Sequence, residues 1–312
     1  PGDYGYTCVC GASIPTIQEE ININVRGQSS LVHPKKQYTV RFQDHKGNKK
    51  NVELLGMPAH DKWVLNGSYS DKSLIRNYLG YKMASQVMEY APRTRFCEVY
   101  LNDTGGDNIS FESHYIGVYL LTEKIERAED RVNIDKNDDR YNDISFIIAR
   151  DKVNFGELGL QTHWSKLEDD YIIDDDKNIT SRTILLGVYP SGSKITPERQ
   201  EKIVEFINEF EYVLKSNNFN HPKGGYRKYI DVNSFVDFAM INEILKNIDG
   251  GEVSTYFYKD VGKPMKAGPV WDFDLTLGNT PVEQVNEPTG FRMMNTIWFD
   301  RLFQDDYFAK IY

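Results

Sequence analysis

The sequence predicts an α+β fold in which a β-rich first half precedes a mainly helical second half, two lobes around a shared cleft. Three observations carry that expectation. Apolar and polar residues alternate with a period of two in parts of residues 17–65, the pattern of half-buried strands. After Pro197 the apolar spacing becomes that of amphipathic helices. Polar, turn-rich stretches separate the two patterns, and 312 residues suffice for one large domain or two lobes.

In chain order, Ile21–Val25 and Tyr38–Phe42 are predicted strands, joined by a loop at Arg26–Ser30 and His33–Lys36. His45–Lys50 is a charged hairpin turn. Asp71 is placed to cap a helix over residues 73–87, with Leu74, Ile75, Tyr78, Leu79, Met83, Ala84 and Val87 as its apolar stripe. Strands at 95–101 and 115–121 follow, linked by the turn residues Asn102–Gly106. These elements define a β-rich lobe with one helix over residues 15–125, and a helical lobe over 126–312. Residues 130–190 are acidic and irregular, broken by a strand at Ile144–Ile148. Thr196 caps a helix over 198–214 with Pro197 at its first position, and a second helix runs over 231–245. It exits at Asn247–Gly251, after which Ser254–Tyr258 and Met265–Val270 form a hairpin.

Composition excludes several classes. With 40% apolar and 13% aromatic residues the chain builds a packed core and is not a disordered protein. A net charge of −9 argues against a nucleic-acid or anionic-membrane footprint and suits a basic partner, or cations held at a site. No stretch approaches the roughly 20 apolar residues of a spanning helix. Cys8, Cys10 and Cys97 are an odd number and give no disulfide framework, and Cys8 with Cys10 makes a poor metal clip. Asp135–Asp139 starts like a Ca²⁺ loop but fails at Arg140 and Phe146. Asp174–Asp176 reads as a solvated acidic loop, and the six His lack ligand spacing. Neither Gly-x-Ser-x-Gly nor His-Glu-x-x-His occurs. The chain opens at Pro1 without Met and ends in helix-like sequence, so an export signal is expected upstream and a truncated helix at the end.

Chemistry concentrates at residues 268–279, GPVWDFDLTLGN, where Asp272 and Asp274 stand inside an apolar, turn-rich run. Ionised carboxylates are costly to bury without a positive partner. Asp249 lies at the other end of the same hairpin, so the chain brings it back to Asp272 despite a separation of 272 − 249 = 23 residues. Two acids at one hairpin mouth repel unless a cation sits between them, and Mg²⁺ commonly takes one or two carboxylates with substrate phosphates. The same spacing admits a structural alternative, with Asp249 capping a turn and Asp272 paired with an Arg. In the Arg26–Ser30 loop, Gly27 permits close backbone approach while Ser29 and Ser30 add hydroxyl donors. Lys35, Lys36 and Arg41 follow with charge suited to phosphates, although a Gly-Ser hairpin beside lysines is also an ordinary hairpin.

The ordered set RGQSS, PKKQYTVRF, DKSLIRNYLGYKMA, YIGVYLLTEKIER, NIDGG and GPVWDFDLTLGN resembles the spore coat protein H family of atypical protein kinases, from about residue 20 to the C-terminus. The resemblance implies a pared-down, two-lobed protein-kinase fold with ATP and Mg²⁺ (or Mn²⁺) in the cleft, and transfer of the γ-phosphoryl group to Ser of partner proteins. It implies Asp249 as the catalytic-loop Asp and Asp272 as the metal-binding Asp. It places Arg26, Gly27, Ser29 and Ser30 over the phosphates, with Lys35 or Lys36 reaching them. It leads the strand ending at Leu121-Thr-Glu-Lys124 into a hinge against the adenine, which involves Glu123. Arg76 also matches a family Arg. Ordinary kinases place Asn five residues after the catalytic Asp as a second metal ligand; here Ser254 stands there, and Asp274 replaces the Gly after Asp-Phe and could itself supply the missing ligand, so the implied metal positions are Asp272, Asp274 and Ser254.

The implied partner is a Ser-rich, basic protein. The implied setting is a bacterial spore coat, or the exported or surface proteins of a bacterium. The departure at Ser254 supports a second reading, a catalytically impaired kinase-like module with a structural role in a coat or extracellular assembly. A carboxylate-pair glycosidase would use the paired acids and aromatics but gives the RGQSS and Lys elements no purpose.

Overall fold

The alternating segments pair as expected, but the first strand is exposed along nearly its whole length, Ile21, Ile23 and Val25 included, because nothing among the described residues covers that edge of the sheet. In the computed structural model β1 (Glu20–Arg26) runs antiparallel to β2 (Gln37–Gln43), with Ile21 opposite Phe42 and Arg26 opposite Gln37. Residues 16–106, 108–138, 140, 142–152, 159–162, 171–173, 179–181, 184–191, 194–280 and 287–312 are described. Cys8, Cys10, Asp139 and Asp174–Asp176 lie outside them. A two-residue turn at Leu55–Gly56, both with positive φ, joins β3 (Val52–Leu54) to β4 (Met57–His60). The first sheet is completed by β5 (Lys62–Asn66), β6 (Thr94–Tyr100) and β7 (Tyr115–Glu123), in the order β1-β2-β5-β7-β6. Its small core holds Val40, Phe42, Val52, Met57, Trp63 and Leu121.

The helix expected over 73–87 is shorter. It spans α1 (Arg76–Ala84), because Leu74 takes a left-handed φ of 63° that keeps the preceding residues out of the helix. Asp71 still closes the start: its carboxylate accepts the N–H of Ser73 at 3.0 Å and of Arg76 at 2.9 Å. The face α1 buries is not the expected stripe. Asn77, Gly80, Tyr81 and Ala84 point inward, while Ile75, Tyr78 and Val87 are exposed. Small and polar residues face the interior here because α1 packs on another backbone segment, residues 271–274, rather than on apolar side chains alone.

A larger correction concerns the second half, expected to be mainly helical. It carries its own five-stranded antiparallel sheet. The strands are β8 (Phe146–Asp151), β9 (Gly159–Leu160), β12 (Ile184–Tyr189), β13 (Thr255–Lys259) and β14 (Lys266–Ala267), ordered β14-β13-β8-β12-β9. A separate pair is β10 (Tyr171–Ile173) with β11 (Ile179–Ser181). In β8, Phe146 to Arg150 are all buried, so it shows no alternation to read.

The short α2 (Phe111–His114) precedes β7. The long helices match their signals: α3 (Pro197–Lys215) is capped by Thr196, and α4 (Val232–Ile244) by Asp231, whose carboxylate accepts the Ser234 N–H at 3.1 Å. The chain closes with α5 (Phe299–Leu302) and α6 (Asp306–Ile311). The main core gathers aromatic residues from these elements, among them Phe210, Phe235, Phe238, Phe257 and Trp298, and reaches Val64, Tyr81 and Ala84 of the first half. Cys97 is free and half-buried. No described helix is long and apolar enough to cross a membrane.

Candidate active site

The loop after α4 is folded around Asn247. Its side chain bonds Asn242 at 2.9 Å and accepts the Asp249 N–H at 3.1 Å, while the Asp249 carbonyl accepts the N–H groups of Glu252 and Val253, each at 2.9 Å. Gly250 and Gly251 are required by close approach: a Cβ on Gly250 would stand 2.7 Å from the Asn242 amide oxygen, and one on Gly251 2.4 Å from Thr296 Oγ1. Arg292 braces the loop through the carbonyls of Asn247, at 3.2 Å, and Ile248. Asp249 is thereby held half-buried at the head of the β13–β14 hairpin.

The far end of that hairpin delivers residues 271–274. Asp272 has a left-handed φ of 64°, a conformation rare outside Gly, and α1 holds it there. The Asp272 N–H donates to the Tyr81 hydroxyl at 3.3 Å, and the Phe273 N–H donates to the Asn77 side chain at 2.8 Å. The Phe273 ring lies where Gly80 has no side chain; a Cβ there would meet it at 2.3 Å. Asn77 also donates to Asp274, whose second oxygen accepts the Ser70 hydroxyl at 3.1 Å. Asp274 thus ties this loop to the segment entering α1. Arg76 joins the same clasp, pairing with Asp71 at 2.5 Å and donating through Nε to the Thr276 carbonyl at 2.9 Å.

Asp249 and Asp272 come within each other's field. Burial first, and the Asp272 charge second, push the Asp249 carboxyl up to about 7, with Lys152 and Arg292 pulling the other way. Burial raises Asp272 as well, opposed by Arg26, by the Asp274 N–H and by Lys152. Asp274 is pushed up to about 7 by burial and then by Asp272. Asp151, at the end of β8, was not anticipated; burial raises its carboxyl, as does Asp272. Lys152, Arg292, Asn77 and Tyr81 were missed too. The available signal for Asp151 and Lys152 was their place directly after the apolar run FIIA and Arg150.

Each anticipated binding residue has a definite place. Arg26 bonds Gln37 at 3.2 Å, and its guanidinium lies 5.6 Å from the Trp271 ring, beside the acids. Gly27 has φ 107°, and a Cβ there would collide with Ser30 Oγ. Ser29 accepts a bond from Lys152 Nζ at 2.9 Å, which joins this loop to the end of β8. The two lysines point elsewhere. Lys35 donates to the Val118 carbonyl at 2.5 Å over the Tyr119 ring, and Lys36 to the Leu31 carbonyl at 2.6 Å. Glu123 is fully buried, and its carboxylate accepts Arg93 N–H and Nε, each at 3.0 Å, and the Tyr90 hydroxyl at 3.2 Å. Ser254 has φ 50°, and its N–H faces the Asp151 carboxylate and favours its ionised form.

A cavity of 1010 Å³ opens beside the acids, walled by Arg26, Asp151, Tyr256 and Trp271 at that side. The charge on its other walls is mostly positive: Arg41, Lys49, Lys62, Lys124, Arg127, Lys136, Lys194 and Arg199 against Glu126, interleaved with apolar residues such as Ile125, Leu186 and Val188. Among the described residues, His60, Asp61 and Glu126 present ligand-type atoms within 4.8 Å of one another. Lys49 and Lys62 reach the two acids at 3.6 and 2.5 Å, Lys124 stands 3.8 Å from Glu126, and burial and Arg131 hold His60 below its ordinary pKa. Cations already outnumber the acids there, so the group works as an ion-pair network.

The family model described as "CotH: CotH kinase protein" matches residues 23–312, nearly the whole chain. The chain belongs to the CotH family. Its site residues, from Ile23 onward, all fall inside the matched span, so the kinase-like domain of that family includes both ends of the Asp249–Asp272 hairpin. Among curated proteins none matches the chain.

Proposed function

We propose that this CotH-family domain transfers the γ-phosphoryl group of ATP to serine hydroxyls of partner proteins, in a reaction dependent on Mg²⁺ or Mn²⁺. The observation that carries the reading is the meeting of Asp249 and Asp272 beside a large cation-lined cavity. The first sheet and the α3–α4 half then act as two lobes around a nucleotide, as in protein kinases. A divalent ion suits the donors present, because the buried carboxylates raise one another and a cation among them relieves that repulsion. Asp272 is the ligand assigned to it, and when bound the ion neutralises charge on the phosphates.

The chain's own residues do the rest. Lys152 and Arg26 face the acids and are assigned to the phosphates, the place expected for Lys35 or Lys36. The Gly27–Ser30 loop closes over them. Asp249, with a carboxyl near pH 7, takes the serine proton as the new O–P bond forms and the β–γ bridge breaks, releasing ADP. A net charge of −9 supports a basic, serine-rich acceptor. A bacterial spore coat or cell exterior is the setting we assign.

Incubation with labelled ATP, Mg²⁺ or Mn²⁺ and a serine-rich basic acceptor tests this directly. Transfer abolished by both Asp249→Ala and Asp272→Ala is expected. Absence of both transfer and nucleotide binding in the unaltered protein would leave the second reading, a non-catalytic module, which Ser254 in the usual Asn position favours.

A further inference from the structure

Position 254 raises the question of what replaces the amide oxygen that an Asn would bring. We propose that Asp151 is that replacement, a ligand for a second divalent cation on the nucleotide's phosphates. The inference rests on the phosphoryl-transfer reading and names a residue of the same site.

Strand pairing sets the geometry. β13 runs antiparallel to β8 with Thr255 opposite Arg150, so the next step of the ladder brings Ser254 and Asp151 together at the strand ends. The Lys152 main-chain N–H donates to the Asp151 carboxylate at 2.8 Å, and the Ser254 N–H faces it and favours its ionised form. One main-chain bond therefore orients the carboxylate, toward the end of the paired strand that carries Ser254. Of the flanking cations, Arg150 is turned away, while Lys152 keeps its charge near the acids and is bonded through Nζ to the Gly27–Ser30 loop. Arg150 bonds the Glu252 carbonyl at 2.9 Å and its carboxylate at 3.1 Å, and Lys152 Nζ reaches Ser29. Asp151 itself lines the cavity with Arg26, Tyr256 and Trp271.

Chemistry favours the exchange. Hard divalent cations prefer charged oxygen ligands, and affinity rises with the number of carboxylates. A neutral serine hydroxyl is the poorer donor, but an aspartate reaching in from the paired strand restores oxygen and charge together. Position 254 then contributes its backbone, which faces Asp151, in place of a side-chain ligand.

Mn²⁺ titrated into the protein with a non-hydrolysable ATP analogue, with free Mn²⁺ followed by electron paramagnetic resonance, provides the test. Two ions per complex are expected. Asp272→Asn removes one; Asp151→Asn weakens the other at least tenfold, and adding Ser254→Asn to Asp151→Asn restores it. Circular dichroism checks that each variant folds; if Asp151→Asn does not, Ser254→Asn alone should tighten the second ion at least threefold. One ion in the unaltered protein, unchanged binding in Asp151→Asn, a loss that Ser254→Asn fails to restore, or no tightening by Ser254→Asn alone would each overturn the assignment while leaving phosphoryl transfer intact. No Mn²⁺ bound beside the nucleotide at all would overturn the phosphoryl-transfer reading, and this assignment with it.

Discussion

Asp249 and Asp274 share an unusual property, carboxyls that burial and the Asp272 charge push up to about 7. Their folded pKa values lie above the ordinary 3.8, so the folded state prefers the protonated forms. The stability they contribute is fully present below about pH 4 and is lost as pH rises through about 7. A divalent cation favours the ionised forms and offsets that loss. Thermal melts should therefore show a larger stabilisation by Mg²⁺ at pH 8 than at pH 5, and Asp249→Asn should flatten the pH dependence without metal. Because the proton acceptor must be ionised, phosphoryl transfer should rise with pH through about 7. Lys152 is bonded to an exposed hydroxyl, and its loss should leave folding intact. Lys152→Ala is expected to weaken ATP binding about tenfold by calorimetry, the scale of one charge-assisted hydrogen bond. Asp249 and Asp272 were legible because a short hairpin joins them. Asp151 was not, since its relation to Ser254 depends on pairing between residues 254 − 151 = 103 apart.

Helix α1 acts as a clasp on the segment at 271–274, and its composition follows from that task. Asn77 bonds Phe273 and Asp274, and Gly80 makes room for the Phe273 ring. Gly80→Ala puts a methyl group 2.3 Å from that ring and should cost about 1–3 kcal/mol, the range for overpacking, measurable by denaturant titration. The same variant should weaken metal-dependent nucleotide binding more than its stability loss alone explains, because the displaced ring is next to Asp272. This element was misread in the sequence for a physical reason: an apolar stripe marks a helix packed on aliphatic side chains, whereas α1 meets residues 271–274 through Asn77 on their backbone and through Gly80 and Tyr81 on their rings. β8 was read in part, as a strand over 144–148, from its apolar run; β12 escaped because its apolar residues Ile184, Leu185, Leu186 and Val188 are near-continuous and print no alternation. Helix α3 was legible because Thr196 with Pro197 is a local signal that survives tertiary context, and α4 from its apolar run; the Asp231 cap came from the structure.

Across the whole molecule, charge is sorted in a way composition conceals. The chain is net −9, yet its cavity is lined by nine Lys and Arg residues and two acids. Anions entering that cavity meet a positive wall inside a negative protein, so attraction should be strong at low salt and fall as the Debye length shortens. Nucleotide affinity measured between about 50 and 300 mM salt should drop several-fold, whereas a pocket held by apolar contact would change little. The α+β class was legible from periodicity; the second sheet, which carries Asp151 into the site, was legible only after folding. The clasp at α1 has a last consequence, for control. Rotation of the helix would pull on Asp272 and Asp274 through Tyr81 and Asn77, so any movement of α1 is read out directly at the acids. Under the proposed function, a site coupled to its helix in this way would be controlled by whatever moves α1.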